Sequence, residues 1–355
     1  MPLCPALLRL PTKPVLALAA LCLTGAAHGA SSDLTLYGII DLGIAYERLD
    51  GQSRLAQRSG GQTLSYWGLR GAEDLGNGYR AFFQLESGFH ATDGSQMQER
   101  PFGRWAYLGV AGPVGELRLG RLWTLGNSWG NKGTPFGNSW SGAAGATTLG
   151  YNDGDFGAAG RSNNTVMYLS PTVNGWQAGL GYSFEAHDSA QFATARHDRV
   201  LTSGIRYQQG PLAAALTYER LNAGPGIAAQ ANASVNAPRK RNASNMQVVA
   251  AYELEWVTVH GGYGLLRHPN VGPSAGYGRV QTYLGGVSVP VSGRGKVLAS
   301  YQRATRSSIQ GWAMGYQHDL SKRTNLYALV DRIDRRDSHL LQTCLLYTSP
   351  SPRDS

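Results

Sequence analysis

Residues 34–47 read L-T-L-Y-G-I-I-D-L-G-I-A-Y-E. Leu34, Leu36, Gly38, Ile40, Leu42, Ile44 and Tyr46 share one face; Thr35, Tyr37, Ile39, Asp41, Gly43, Ala45 and Glu47 share the other. A period of two is the mark of an extended strand. This stretch also exceeds the about five or six residues usual for a soluble strand. The same spacing, less cleanly, predicts strands over 62–71, 78–89, 102–111, 114–121, 163–170, 175–185, 200–209, 211–220, 244–254, 256–266, 278–289, 294–303, 308–318 and 323–333. With the first, that makes fifteen.

The connections then decide the architecture. Short turns at 72–77, 112–113, 171–174, 210, 255, 290–293 and 319–322 alternate with long stretches at 48–61, 90–101, 122–162, 186–199, 221–243 and 267–277, and 304–307 is the one short exception. Such alternation puts every long loop on one side of an up-and-down sheet, as in an outer-membrane β-barrel. Aromatic residues near the strand ends (Tyr37, Tyr46, Tyr182, Tyr207, Tyr218, Tyr301, Trp312 and Tyr316) suit the girdles of such a barrel. Beyond the first 30 residues no apolar run approaches the about 18 residues that a transmembrane helix needs. Glycine is abundant, at 47 of 355 residues, but follows no G-X-Y period, which excludes collagen.

Both ends stand apart from this pattern. Residues 1–30 read as a cleaved signal peptide: Arg9 and Lys13 precede the apolar run Val15–Ala27, and Ala27 and Gly29 fit the cleavage site. Residues 344–355, C-L-L-Y-T-S-P-S-P-R-D-S, resemble an in-frame translation of a sequencing adapter. The barrel domain is therefore expected over 31–343. Its fifteen strands fall one short of the even number that closes an antiparallel barrel, so a sixteenth strand is expected in the intact protein after Asp334. The three cysteines, Cys4, Cys22 and Cys344, all fall in the two end segments, so the expected domain has no disulfide or thiolate site.

Four segments carry a family resemblance: LTLYGIIDLG (34–43), WGLRGAEDLGNGYRAFFQLESGF (67–89), FGRWAYLGVAGPVGELRLGR (102–121) and RSNNTVMYLSP (161–171). They are similar to the general, trimeric porins of Gram-negative bacteria, of the neisserial and β-proteobacterial branch. The resemblance spans nearly all of 33–333. It implies an all-β, 16-stranded transmembrane antiparallel barrel with an inward-folded third extracellular loop, three per assembly, in the outer membrane.

The stretch 122–162 fits that loop, with ten glycines and the run Thr134-Pro135-Phe136-Gly137, which resembles the family's loop tip. Glycine permits the close approach and positive φ that a loop bent into a lumen requires. The resemblance further implies wall arginines facing loop carboxylates. Arg104 and Arg161 match wall arginines, Glu86 matches an acidic wall position, and Tyr66 stands where the family usually has another arginine. Ile39 stands where some relatives have lysine. The expected constriction is thus Arg104, Arg161, Tyr66 and Glu86 on the wall, with Lys132, Pro135, Phe136 and Gly137 on the loop. From Leu117 to Asn152 there is no Asp or Glu, only Arg118, Arg121 and Lys132; Asp153 and Asp155 follow. A cationic constriction without a carboxylate partner favours anions.

Other functions have weaker support. The eight histidines show no H-E-x-x-H spacing, and G-x-S-x-G and the phosphate-loop motif are missing. No catalytic, metal or cofactor constellation stands out. The formal net charge of +9 is spread among loops and walls rather than gathered in a nucleic-acid stripe. The run Pro238-Arg-Lys-Arg241 reads as a loop tip, a partner for lipopolysaccharide phosphates. An outer-membrane barrel enzyme and a soluble surface adhesin are the alternatives. The favoured reading is passive diffusion of small hydrophilic solutes and anions through a homotrimer.

Overall fold

The computed structural model describes residues 33–137, 140, 160–186, 197–222, 242–268, 278–305, 309–335 and 338–349, with 309, 335 and 338–349 as backbone only. The expected signal peptide, Asp153, Asp155 and the basic run 238–241 lie outside the described residues.

Seventeen strands form one antiparallel sheet: β1 Asp33–Leu49, β2 Gln52–Ser59, β3 Tyr66–Gly76, β4 Tyr79–Gly88, β5 Trp105–Gly112, β6 Gly115–Trp123, β7 Arg161–Leu169, β8 Trp176–Ser183, β9 Arg199–Gln209, β10 Leu212–Asn222, β11 Ala243–Glu253, β12 Thr258–Arg267, β13 Arg279–Pro290, β14 Gly295–Ala304, β15 Ile309–Asp319, β16 Asn325–Arg335 and β17 Ser338–Ser349. All fifteen expected strands are present, within a few residues of their expected ends.

The two additional strands have separate causes. Asp50 and Gly51 both take positive φ, 49° and 87°, the combination that closes a two-residue hairpin. β2 therefore folds back along the upper half of β1, inside a stretch expected to be loop. After an irregular segment, 60–65, the chain resumes as β3 along the lower half of β1. β2 and β3 are thus two pieces of one wall position, which makes sixteen positions around the sheet.

β17 corrects the expectation that about fifteen strands are present. It pairs with β16 on one side and β1 on the other, so the ladder returns to its start. Without it, the edges of β1 and β16 would leave backbone groups orphaned in hydrocarbon. An extended twelve-residue segment with neither proline nor glycine can satisfy both edges. Cys344–Ser349, from the adapter-like end, lie within this strand.

The alternation read in β1 is realised. Leu34, Leu36, Ile40 and Ile44 are exposed outward, while Asp41 and Ala45 are buried on the inner side. Leu108, Val110, Leu117, Leu119, Leu180, Leu216, Val248 and Met314 continue the outer apolar surface. Inside, apolar side chains gather where the third long loop rests on the wall: Leu125 and Trp129 with Met167, Leu169, Ala215 and Val249, and Phe136 and Trp140 with Leu298, Tyr327 and Leu329. Tyr37 departs from its girdle assignment. It is buried, and its hydroxyl donates to Glu86 Oε1 at 2.8 Å. No described helix is long and apolar enough to cross a membrane.

Candidate pore constriction

The third long loop folds inward as expected and is fastened along the wall. It opens as a short helix, α1 (Leu125–Gly130), capped by Thr124, whose hydroxyl accepts the Asn127 N–H. The first backbone N–H groups of a helix need acceptors, and the wall supplies them. Leu125 N–H donates to Thr202 Oγ1 at 2.8 Å, and Gly126 N–H to Glu219 Oε1 at 2.9 Å. Gln247 Nε2 donates to the Gly126 carbonyl at 2.7 Å, and His260 Nδ1 lies 3.0 Å from the Lys132 carbonyl oxygen. The loop then crosses β13 and β15, where glycines make room. A Cβ at Gly286 would lie 2.6 Å from Pro135 Cδ, and one at Gly315 would lie 3.0 Å from both Phe136 and Trp140.

The expected wall residues meet at the upper ends of β3 to β7. Arg104 and Glu86 form an ion pair, Nε to Oε2 at 3.0 Å, with both side chains more than nine-tenths buried. Glu86 Oε1 also accepts Tyr37 Oη and, at 2.9 Å, Gln84 Nε2. The Arg104 guanidinium stacks on Tyr66, 4.2 Å from the ring centroid, so the residue that replaces an expected arginine becomes a platform for another. Arg161 donates from Nε to the Arg104 carbonyl at 2.8 Å, and its guanidinium lies over Trp123.

A third arginine joins this cluster. Arg121 donates from Nε to the Gly103 carbonyl at 2.8 Å and from Nη1 to Asn163 Oδ1 at 2.5 Å. Strict alternation would put Arg118 and Arg121 on opposite faces. The register shifts between Gly120 and Leu122, and Gly120 takes φ 140° with Ala106 O only 2.2 Å from where a Cβ would sit. The bulge turns Arg121 inward. Its sequence signal is a glycine inside a strand between two arginines on conflicting faces.

The expected loop residues do not reach that cluster. Lys132, Pro135, Phe136 and Gly137 line a separate cavity of about 910 Å³, shared with Ile39, Trp140, Lys296, Asp319, Lys322 and Arg323. Phe136 is buried in a cluster with Trp140, Leu298, Tyr327 and Leu329. Arg118 and Arg206 line a smaller cavity, about 120 Å³, with Trp105, Trp123 and Trp129. The described loop residues 124–137 and 140 contain no carboxylate. Among the described residues, no three His, Cys, Asp or Glu side chains are placed to hold a metal ion. The two cavities are lined by Lys132, Lys296, Lys322, Arg323, Arg118 and Arg206, with Asp319 the carboxylate on their described lining.

A family model described as Gram-negative porin matches residues 17–338. An outer membrane porin protein of Bordetella pertussis is 35% identical, over 89% of this chain and 92% of its own. Outer membrane porin protein 32 of Delftia acidovorans is 31% identical, over 93% and 91%. Among solved structures, an anion-selective porin from Comamonas acidovorans superposes with a TM-score of 0.72 at 24% identity, over 90% of this chain and 99% of its own.

Proposed function

Because the chain belongs to the Gram-negative porin family, and so is a passive diffusion channel of the outer membrane and not an enzyme, we propose that it prefers anions and works as a homotrimer. The observation that carries the anion preference is the wall cluster. Arg104, Arg121 and Arg161 gather there, and Glu86 is the carboxylate paired with Arg104. The lower cavity repeats the imbalance, with Lys132, Lys296, Lys322 and Arg323 beside Asp319. Rings of Arg and Lys favour anions. A unit charge at about 7 Å is worth about 2 kcal/mol at an effective dielectric near 20, and less in a wet, salty lumen. The excess therefore biases permeation severalfold without blocking cations.

Liposome swelling with neutral, anionic and cationic solutes of matched size tests this reading. Anions should enter fastest and cations slowest; faster entry of cations would overturn it.

The trimer rests on the family and on the outer face of β3 to β6. Trp67, Leu108, Val110, Leu117 and Leu119 are all exposed there, and a surface of this kind suits a subunit contact. Trp105 and Tyr107, on the same strands, belong to the interior: Tyr107 Oη donates to Gln84 Oε1, and Trp105 packs on Trp123. Cross-linking of detergent-extracted protein should give a heat-resistant three-chain species, and monomers alone would contradict it. In the membrane, the run Pro238-Arg-Lys-Arg241 would meet lipopolysaccharide phosphates.

A further inference from the structure

We propose that Asp41 is the latch that fixes the tip of the inward loop, and through it the open state of the pore. The inference rests on the channel reading above. Asp41 lies on β1 between two registers: β1 pairs with β3 up to Ile39 and with β2 from Leu42. At this gap the chain between β2 and β3 is folded around it. The Gly60 N–H donates to the Asp41 carbonyl at 3.0 Å, and the Asp41 N–H to Ser65 Oγ at 2.9 Å. The carboxylate is wholly buried and takes three donors: the Gln62 N–H at 2.9 Å and the Thr63 N–H at 2.7 Å on Oδ2, and Tyr327 Oη at 2.7 Å on Oδ1.

From there the connection runs straight to the loop. The Gln62 carbonyl accepts the Trp140 N–H at 2.5 Å, and the Trp140 ring packs edge-on against Tyr327 at 5.1 Å and Phe136 at 5.4 Å. Gly315 leaves the space in which Phe136 and Trp140 sit. Trp140 holds φ 51°. A bulky residue adopts the left-handed region only where its surroundings over-determine it. The surroundings here are the Gln62 carbonyl and two aromatic rings, and both Gln62 and Tyr327 are oriented by the Asp41 carboxylate. The fastening at α1 holds the base of the loop; Asp41 holds its tip, from the opposite side of the ladder.

The test is single-channel recording of the purified full-length protein in planar bilayers, with Tyr327→Phe, Asp41→Ala and Trp140→Ala beside the wild type. Tyr327→Phe removes one hydroxyl and leaves the ring. It should raise the frequency of closures and sublevels about tenfold, because it removes the hydroxyl's bonds to the Asp41 carboxylate and to the Gln62 N–H. Asp41→Ala should do at least as much, and adding Tyr327→Phe to it should add little, because both cut one connection. If Asp41→Ala fails to fold, Trp140→Ala releases the tip without touching β1 and should reproduce the flicker. Folded Tyr327→Phe and Trp140→Ala channels that gate like the wild type would overturn the latch. A wild type without conductance would instead remove the channel reading beneath it.

Discussion

Glu86→Gln is expected to increase the preference for anions, although it adds no cation. The carboxylate lies 3.0 Å from Arg104 in the wall cluster. Glutamine keeps an oxygen for the Tyr37 hydroxyl and removes the charge, so the cluster becomes more positive by one unit. At about 7 Å and an effective dielectric near 20, one more positive charge is worth about 2 kcal/mol before screening, and the anion-to-cation permeability ratio should rise severalfold. The reverse substitution is more damaging. Arg104→Ala leaves Glu86 buried without its cation, at a cost of about 3–5 kcal/mol. It should lower thermal stability and anion preference together. Permeability ratios and unfolding temperatures of the two variants check both halves; an unchanged anion preference in Glu86→Gln would mean that Glu86 lies off the ion path.

Gly315→Leu should narrow the pore. A Cβ at this position already lies 3.0 Å from Phe136 and Trp140, and both belong to the loop, not to the wall. The strand is held by two ladders, from β14 and β16, so the loop tip has to give. Overpacking costs about 1–3 kcal/mol when nothing can move; here it is relieved by pushing the two rings toward the lumen. Single-channel conductance should fall severalfold in Gly315→Leu and only slightly in Gly315→Ala, with the heat-modifiable gel mobility of the folded barrel unchanged. Wild-type conductance in folded Gly315→Leu would show that the tip does not border the conducting path.

The barrel was legible because its physics is periodic. A wall with lipid outside and water inside needs one face of each strand apolar, and in β1 that requirement writes Leu34, Leu36, Ile40 and Ile44 directly into the chain. Arg104 and Arg161 could be assigned through motif resemblance, and they do meet. Tyr66 and Glu86 also fall beside Arg104, as platform and counter-ion.

What escaped reading is aperiodic. Arg121 enters the cluster only through the bulge at Gly120. β2 depends on two consecutive positive φ values at Asp50 and Gly51. The roles of Asp41 and Glu219 are long-range: each looks like an ordinary inward polar residue until a loop distant in sequence brings its N–H groups to the carboxylate. Loop resemblance points to Lys132 and Phe136, and a loop's course inside a barrel is set by contacts such as Pro135 on Gly286, which strand periodicity does not encode.

The central claim is that the arginine wall sets the charge preference of the channel. The measurement is the reversal potential under a KCl gradient, for the native protein and for the Arg104→Ala/Arg161→Ala double variant. The native channel should reverse toward the chloride equilibrium potential, and the double variant should move most of the way back to zero. A native reversal on the potassium side, or an anion preference untouched by removing both arginines, would contradict the account.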